Sequence, residues 1–311
     1  MKAVLYDHHG PPSVLRVAEV DEPGPLPGHA RVRVEACALN PKDVLLRKGK
    51  LWFVFPGPLP RVPGYDVGGT LLDDADGLTA GTRVFGMIQA NGGGGLAEVA
   101  RLPVDQLARA PEGLSGIEAA SLPLAGLTAL QALRDELRVR PGERVLLNGA
   151  SGGVGTLAVQ VAKALGAKVV AVCSARNADR VASLGADAVV DYRTQDVTAV
   201  VDVDHVFDVY GSLPWERARG MLPRRGRYCT TIPTARTFGR RMLARGGLSR
   251  ASLVIVRSRR HDLDQLRAWV EAGALRPVID QVFAPAQVAA ACEYLETRRA
   301  RGKVVIDLAA G

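Results

Sequence analysis

The sequence contains no run of about 18 consecutive apolar residues, the length a helix needs to cross a bilayer, so no transmembrane helix is expected. Its opening residues, MKAVLYDHHG, lack an apolar stretch of signal-peptide length and read as a first strand, which makes a cytoplasmic protein the default expectation. The four cysteines, Cys37, Cys173, Cys229 and Cys292, stand tens of residues apart. With no CxxC pair and no disulfide framework, they are expected to be buried, reduced thiols. Aromatic residues make up only 5% of the chain. The formal charge of +8 raises nucleic acid or anionic lipid as partners, and the excess collects between Arg217 and Arg260, where acids are almost absent. That segment has neither an RNA-binding signature nor an aromatic platform, so a solvated basic face is the preferred reading and a nucleic-acid site the alternative.

What is present is an ordinary globular composition, 47% hydrophobic and 23% charged over 311 residues, a length that suggests two domains. Thirty-four glycines and nineteen prolines imply many turns and short strands. Residues 1–115 alternate with period two. Ala30–Ala36 places apolar and charged side chains on opposite faces, and shorter candidates are Lys2–Tyr6, Val67–Leu72, Thr82–Met87 and Leu96–Ala100. Short strands with punctuating turns argue for an antiparallel, barrel-like domain. Near residue 123 the pattern changes to alternating helices and strands, the signature of a parallel, doubly wound sheet. Expected strands there are Arg144–Asn148, Lys168–Cys173, Ala188–Val190, His205–Val209, Arg227–Ile232 and Ala251–Val256, and expected helices Thr156–Leu165, Ala178–Leu184 and Trp215–Leu222. Further on, Asp262 with Gln265 reads as a helix cap opening Asp262–Glu271.

The most informative segment runs from Val145 to Gly155, an apolar strand entering the turn Asn148-Gly149-Ala150-Ser151-Gly152 and leaving in a helix. Small residues let the backbone approach a pyrophosphate, and a helix N-terminus offers it free N–H groups and a positive dipole end. Against the G-x-G-x-x-G template, Ala150 takes the first glycine place, and Gly152 and Gly155 the other two. Ala150, Ser151, Gly152, Gly153, Val154 and Gly155 are therefore the expected dinucleotide cradle. At the end of the second strand, Cys173-Ser174-Ala175-Arg176-Asn177 has no acid where an NAD-selective fold places one for the ribose hydroxyl. Ser174 can donate to a 2′-phosphate and Arg176 can pair with it, which favours NADPH.

Motifs spread along nearly the whole chain resemble those of the medium-chain dehydrogenase/reductase superfamily, in its quinone oxidoreductase and enoyl reductase-like branch. They are Ala38-Leu39-Asn40-Pro41-Lys42-Asp43, Pro63-Gly64-Tyr65-Asp66-Val67-Gly68-Gly69, Gly81-Thr82-Arg83-Val84-Phe85-Gly86, Ala125-Gly126-Leu127-Thr128-Ala129, Gly185–Tyr192 and Gly302-Lys303-Val304-Val305. The resemblance implies an α/β protein with a GroES-like β-barrel catalytic domain over 1–122 and 259–311. A Rossmann NADP-binding domain with a doubly wound parallel sheet would occupy 123–258, and the active site would lie in the cleft. Zinc-dependent members use a cysteine, then a Gly-His-Glu segment, then a further ligand. Here the cysteine place is Asn40 and the histidine place Tyr65, and the four-cysteine zinc lobe is missing, so no metal site is expected.

Without a Lewis acid, an acceptor already activated by conjugation is the fitting substrate, and the expected reaction is hydride transfer from NADPH to a quinone or enone. The resemblance places Asn40 and Thr128 near the nicotinamide. Asn40 would bond substrate or ribose, or else cap the turn before Asp43; Thr128 would hold the nicotinamide or pack the helix start. Tyr65 would face the cleft as proton donor or wall, or be structural, and Tyr192 would stack near the adenosine phosphate. The aromatic segment Leu51–Pro56 lines a substrate mouth or seals a loop. A family-like homodimer through edge strands, with Ala251–Val256 as candidate, is also implied. A rival reading keeps NADPH binding but assigns the protein a structural or regulatory role with little catalysis.

Overall fold

The computed structural model describes residues 1–52, 55–89 and 93–310; Phe53 and Val54 of the aromatic segment lie outside these. The chain divides into two compact units, one made of Met1–Leu124, Arg257–Glu271 and Pro277–Gly311, the other of Ala125–Val256 and Ala272–Arg276.

The second unit is built on a wholly parallel sheet. Its strands are β1 (Arg144–Asn148), β2 (Lys168–Cys173), β3 (Ala188–Asp191), β4 (His205–Asp208), β5 (Arg227–Thr230) and β6 (Ala251–Leu253). They lie side by side in the order β3-β2-β1-β4-β5-β6. This is the doubly wound order of dinucleotide-binding domains, which reverses between β1 and β4 and opens a crevice past the carboxyl ends of those strands. The central strands read as unbroken apolar runs, Val145-Leu146-Leu147 and Val169-Val170-Ala171, because both faces of the sheet are covered. Leu146, Val172, Val206, Tyr228 and Ala251 meet in one buried cluster. β6 is the last strand on its side of the sheet.

Helix α1 (Gly153–Ala164) leaves the turn after β1 and starts three residues before the expected Thr156, with Gly152 as its N-cap. The stretch Trp215–Leu222 forms only a short helix, Trp215–Ala218, cut off before Gly220 and Pro223. A helix absent from the sequence reading, α2 (Ala235–Arg245), follows β5. Its apolar side points outward, with Phe238 and Met242 exposed, while Arg241 is the buried residue, bonded to Glu136 and to the Leu253 carbonyl. An amphipathic helix that buries its arginine is invisible to an apolar-periodicity reading. Other arginines of this segment are also engaged: Arg236 and Arg240 pair with Glu216, and Arg250 donates to the Pro223 carbonyl.

The first unit centres on the eleven-residue strand His29–Leu39, whose alternating burial matches its alternating sequence. It pairs antiparallel with Asp66–Leu71, with Val99–Pro103 and with the closing strand Lys303–Asp307. The sheet continues outward through Arg83–Met87 and Leu107–Arg109 on one side and Ile279–Phe283, parallel to Lys303–Asp307, on the other. The strand Lys303–Asp307 thus lies inside a sheet built mostly from residues 29–109, while Lys2–Leu5 pairs with Arg16–Glu19 in a separate two-stranded sheet. Helix Arg260–Glu271 starts two residues earlier than its expected cap, which places Asp262 in the first turn, fully buried. All four cysteines are free and buried. The helical stretch Gly116–Leu137 is long and apolar enough to cross a bilayer, but 83% of its most apolar window is buried inside the fold, as a core helix requires.

Leu146 sits at the middle of the parallel sheet with no exposed surface. Leu146→Ala is expected to lower unfolding free energy by about 2–5 kcal/mol, measured by denaturant unfolding of the purified variant.

Candidate functional site

The turn between β1 and α1 is shaped by its glycines, each for a different reason. Gly149 has φ +88, a left-handed conformation that side chains disfavour. At Gly155 an added Cβ would fall 2.1 Å from the Gly149 carbonyl oxygen and 2.7 Å from Ala150, so glycine is what lets α1 pack onto the turn. Gly152 is unlike both. Its φ of −84 suits any residue, and an added Cβ would meet only the Gly149 oxygen, at 3.8 Å. Nothing among the described residues asks for a glycine there. The place a Cβ would fill lies at the N-terminus of α1, where first-turn N–H groups have no intrahelical partner, and that cradle fits a pyrophosphate. Ala150 is fully buried behind the turn, whereas Ser151, Gly152, Gly153 and Val154 are partly open to solvent.

Ser174 and Arg176 follow the end of β2, in and just before the turn Ala175–Asn177. Asn177, not singled out from the sequence, links the turn before α1 to the end of β2: its amide nitrogen donates to Ser151 Oγ at 3.0 Å and lies 3.4 Å from Ser174 Oγ. Arg176 is exposed, and no described residue accepts a hydrogen bond or ion pair from its guanidinium. Tyr192, just past β3, is 54% exposed. At the reversal point of the sheet, Asn148 donates to Asp208 Oδ1 at 2.7 Å and to Ser212 Oγ at 3.0 Å. Asp208 also accepts from Gly211 and Leu213 N–H groups and from the Tyr228 hydroxyl. Burial pushes the Asp208 carboxyl above the usual range, and these bonds hold the ends of β1 and β4 together. Thr128 also belongs to this unit, buried in helix Pro123–Gln131.

In the first unit, Asn40 precedes helix Pro41–Arg47. Its amide nitrogen donates to the Ala38 carbonyl at 3.1 Å and to Asp66 Oδ2 at 3.0 Å. Its amide oxygen accepts from Lys303 Nζ at 2.6 Å, and Lys303 also bonds Asp66 Oδ2 at 3.0 Å. The other Asp66 oxygen accepts from the Leu124 N–H. All three side chains are buried, so the lysine charge is matched inside the protein. Lys303 was legible only as part of a terminal motif. Asp43 braces the same turn, accepting from the N–H groups of Asn40 and Gly64 at 2.9 Å each, and burial raises it to about 6.

Tyr65 is buried to 1% exposure, its hydroxyl has no hydrogen-bond partner among the described residues, and burial holds it well above the ordinary phenol range. The donors around Asn40 and Tyr65 do not fit a zinc ion: an amide and a phenol stand there, and an ammonium already takes the free oxygens of Asn40 and Asp66. Among the described residues no three histidine, cysteine or acidic side chains come together as a ligand group.

Comparison with known proteins places this geometry. Residues 26–112 match the family described as alcohol dehydrogenase GroES-like domain, and residues 184–306 the family described as zinc-binding dehydrogenase. The chain is 32% identical over 323 residues to a chloroplastic quinone oxidoreductase of Triphysaria versicolor, covering 99% of this chain and 98% of that one. It is 32% identical over 322 residues to the chloroplastic NADPH-dependent alkenal/one oxidoreductase of Arabidopsis thaliana, covering 98% of this chain and 79% of that protein. The Escherichia coli quinone oxidoreductase solved in complex with NADPH superposes with a TM-score of 0.84 at 26% identity, covering 99% of this chain and 100% of that one.

Two substitutions test the site. Gly152→Val is expected to leave the melting temperature nearly unchanged while weakening dinucleotide binding at least tenfold, read by fluorescence titration. Lys303→Met strands the buried Asp66 carboxylate and is expected to cost about 3–5 kcal/mol of stability, with part of the loss recovered when Asp66→Asn is added; thermal melts of the single and double variants measure both.

Proposed function

The chain belongs to the medium-chain dehydrogenase/reductase superfamily, in its quinone oxidoreductase and enoyl reductase-like branch, and from that premise we propose that it is an NADPH-dependent reductase of quinones or α,β-unsaturated carbonyl compounds that works without zinc. Membership makes it an oxidoreductase acting on a small molecule with a nicotinamide cofactor. The choice of NADPH and of a conjugated acceptor is our reading.

One observation carries the cofactor choice: the Arg176 guanidinium, unpaired among the described residues, beside Ser174 at the end of β2, where no acid stands to receive a ribose hydroxyl. A guanidinium fork gains far more from a doubly charged 2′-phosphate, which it can bind through two N–H groups, than from a neutral hydroxyl. The cradle of Ser151, Gly152, Gly153 and Val154 at the N-terminus of α1 would hold the pyrophosphate, with Ala150 and Gly155 letting helix and strand close up behind it. When bound, NADPH supplies the hydride. The protein then has to orient the acceptor and keep water from competing. The alkenal/one reductase among its relatives, itself named NADPH-dependent, supports the same acceptor class.

The zinc-free part of the reading rests on the donors in the first unit. Asn40 is held by Lys303 and Asp66, and Tyr65 is a buried phenol kept protonated. Neither offers the thiolate or imidazole that binds zinc firmly. A conjugated acceptor needs no such Lewis acid, since conjugation already lowers the barrier to hydride addition.

Titration with NADPH and NADH is expected to give tighter binding of NADPH, and NADPH oxidation should follow on addition of a quinone or an enone. Arg176→Ala is expected to weaken NADPH binding about 10- to 100-fold, the loss of one charge-assisted phosphate contact of about 1.5–3 kcal/mol, and to leave NADH binding within about twofold. Equal affinity for both nucleotides in the parent protein would overturn the cofactor choice. Turnover abolished by chelators and restored by zinc would overturn the metal-free reading.

A further inference from the structure

Lysine side chains ordinarily hold the ammonium in water or against a carboxylate. Lys42 does neither. It is half-buried on the first turn of helix Pro41–Arg47, with Nζ 3.8 Å from the centroid of the Tyr65 ring and 4.3 Å from that of Phe55. No carboxylate or carbonyl among the described residues accepts a hydrogen bond from it. The charged groups whose fields reach it are Asp43, on its own helix, and Asp66, at the start of the neighbouring strand. Both carboxylates are already committed: Asp43 to two backbone N–H groups, Asp66 to Leu124, Asn40 and Lys303. Burial outweighs both and pulls Lys42 down to about 8.

One ammonium resting on two aromatic rings, with N–H donors left over, suits the oxygen of a conjugated molecule that becomes negative. We propose that Lys42 is a catalytic residue: its ammonium, resting on Tyr65 and Phe55, receives the carbonyl oxygen of the conjugated substrate and returns a proton to it. This deepens the reductase reading above and rests on it for the hydride, whose source is NADPH.

The step balances as follows. Hydride brings an electron pair to the β-carbon of an enone and a C–H bond forms there. The carbon–carbon π bond breaks and the displaced pair moves through the conjugated system onto the carbonyl oxygen. A Lys42 N–H bond breaks as the O–H bond forms, leaving an enol and a neutral amine, which regains its proton from water. The enol then rearranges to the saturated ketone in solution. For a quinone, the same hydride leaves a hydroquinone monoanion, and the same proton completes it. An ammonium near neutrality in acidity is well matched to this exchange. The Tyr65 ring supports the ammonium, and its phenol gives up no proton, since burial holds it well above the ordinary range.

The test separates Lys42 from the reductase reading by using a probe whose binding needs no hydride. 4-Nitrophenolate presents a flat ring and a negative oxygen like that of the enolate, and its binding to the NADP+-loaded protein is followed by absorbance. Lys42→Met and Lys42→Gln are each expected to weaken its binding at least tenfold and to lower kcat with an enone about 100-fold, the scale of a lost general acid. NADPH affinity and melting temperature should stay unchanged in both. Lys42→Arg keeps the charge and gives up the acidity, so phenolate binding returns to within a few-fold of the parent while kcat stays low. Phenolate binding and kcat within twofold of the parent in both neutral variants would overturn the role of Lys42, whatever the parent protein reduces. A parent protein that binds the phenolate through Lys42 but reduces neither quinone nor enone would overturn the reductase reading and leave the oxyanion site standing.

Discussion

The first unit depends on a buried ammonium. Lys303, near the end of the chain, lies among Asn40 and Asp66, residues separated from it by 263 and 237 positions. A charge withdrawn from water is tolerable only when every donor and acceptor around it is satisfied, and here the oxygens of Asn40 and Asp66 and the Leu124 N–H complete the set. The closing strand Lys303–Asp307 can take its place beside His29–Leu39 only with its lysine directed at that pair, so the polar contact sets the register that apolar packing alone would leave loose. The turn that carries Lys42 and Asp43 hangs from the same contact through Asn40.

That arrangement also explains why one lysine is left over. Asp66 is occupied by Lys303 and Asp43 by the backbone, so the second cation in the neighbourhood has aromatic faces and no acid for company. Two lysines close to two carboxylates could have formed two ordinary ion pairs. The backbone capture of Asp43 prevents it, and the result is one lysine that holds structure and one whose donors remain available.

In the second unit the governing constraint is the closeness of α1 to the turn before it. Gly155 permits the approach and Gly149 supplies the left-handed turn, both for reasons internal to the protein. At Gly152 no described residue crowds an added Cβ, and that distinction, unreadable in a string of glycines, separates a glycine the packing requires from one it does not. Asn177 adds a tie between the turn before α1 and the end of β2, so Ser151 and Ser174 are held in one hydrogen-bonded set.

Much of the fold was legible because local patterns repeat what the sheets need. The apolar runs at Val145–Leu147 and Val169–Ala171 announce strands covered on both faces, and the alternation at Ala30–Ala36 announces one covered on one face. α2 was not legible, because its apolar residues face outward and its buried side chain is an arginine. Trp215–Leu222 looked helical throughout, yet Gly220 and Pro223 stop it early. The sequence by itself determined the alternation of strands and helices, the small-residue turn at 148–155 and the absence of an acid after β2, since each is a property of neighbouring residues. Only the tertiary structure decided the order of the strands, the partner of Lys303 and the isolation of Lys42. These depend on which distant segments exclude water from one another, and a contact between residues 40, 66 and 303 leaves no mark on the residues beside them.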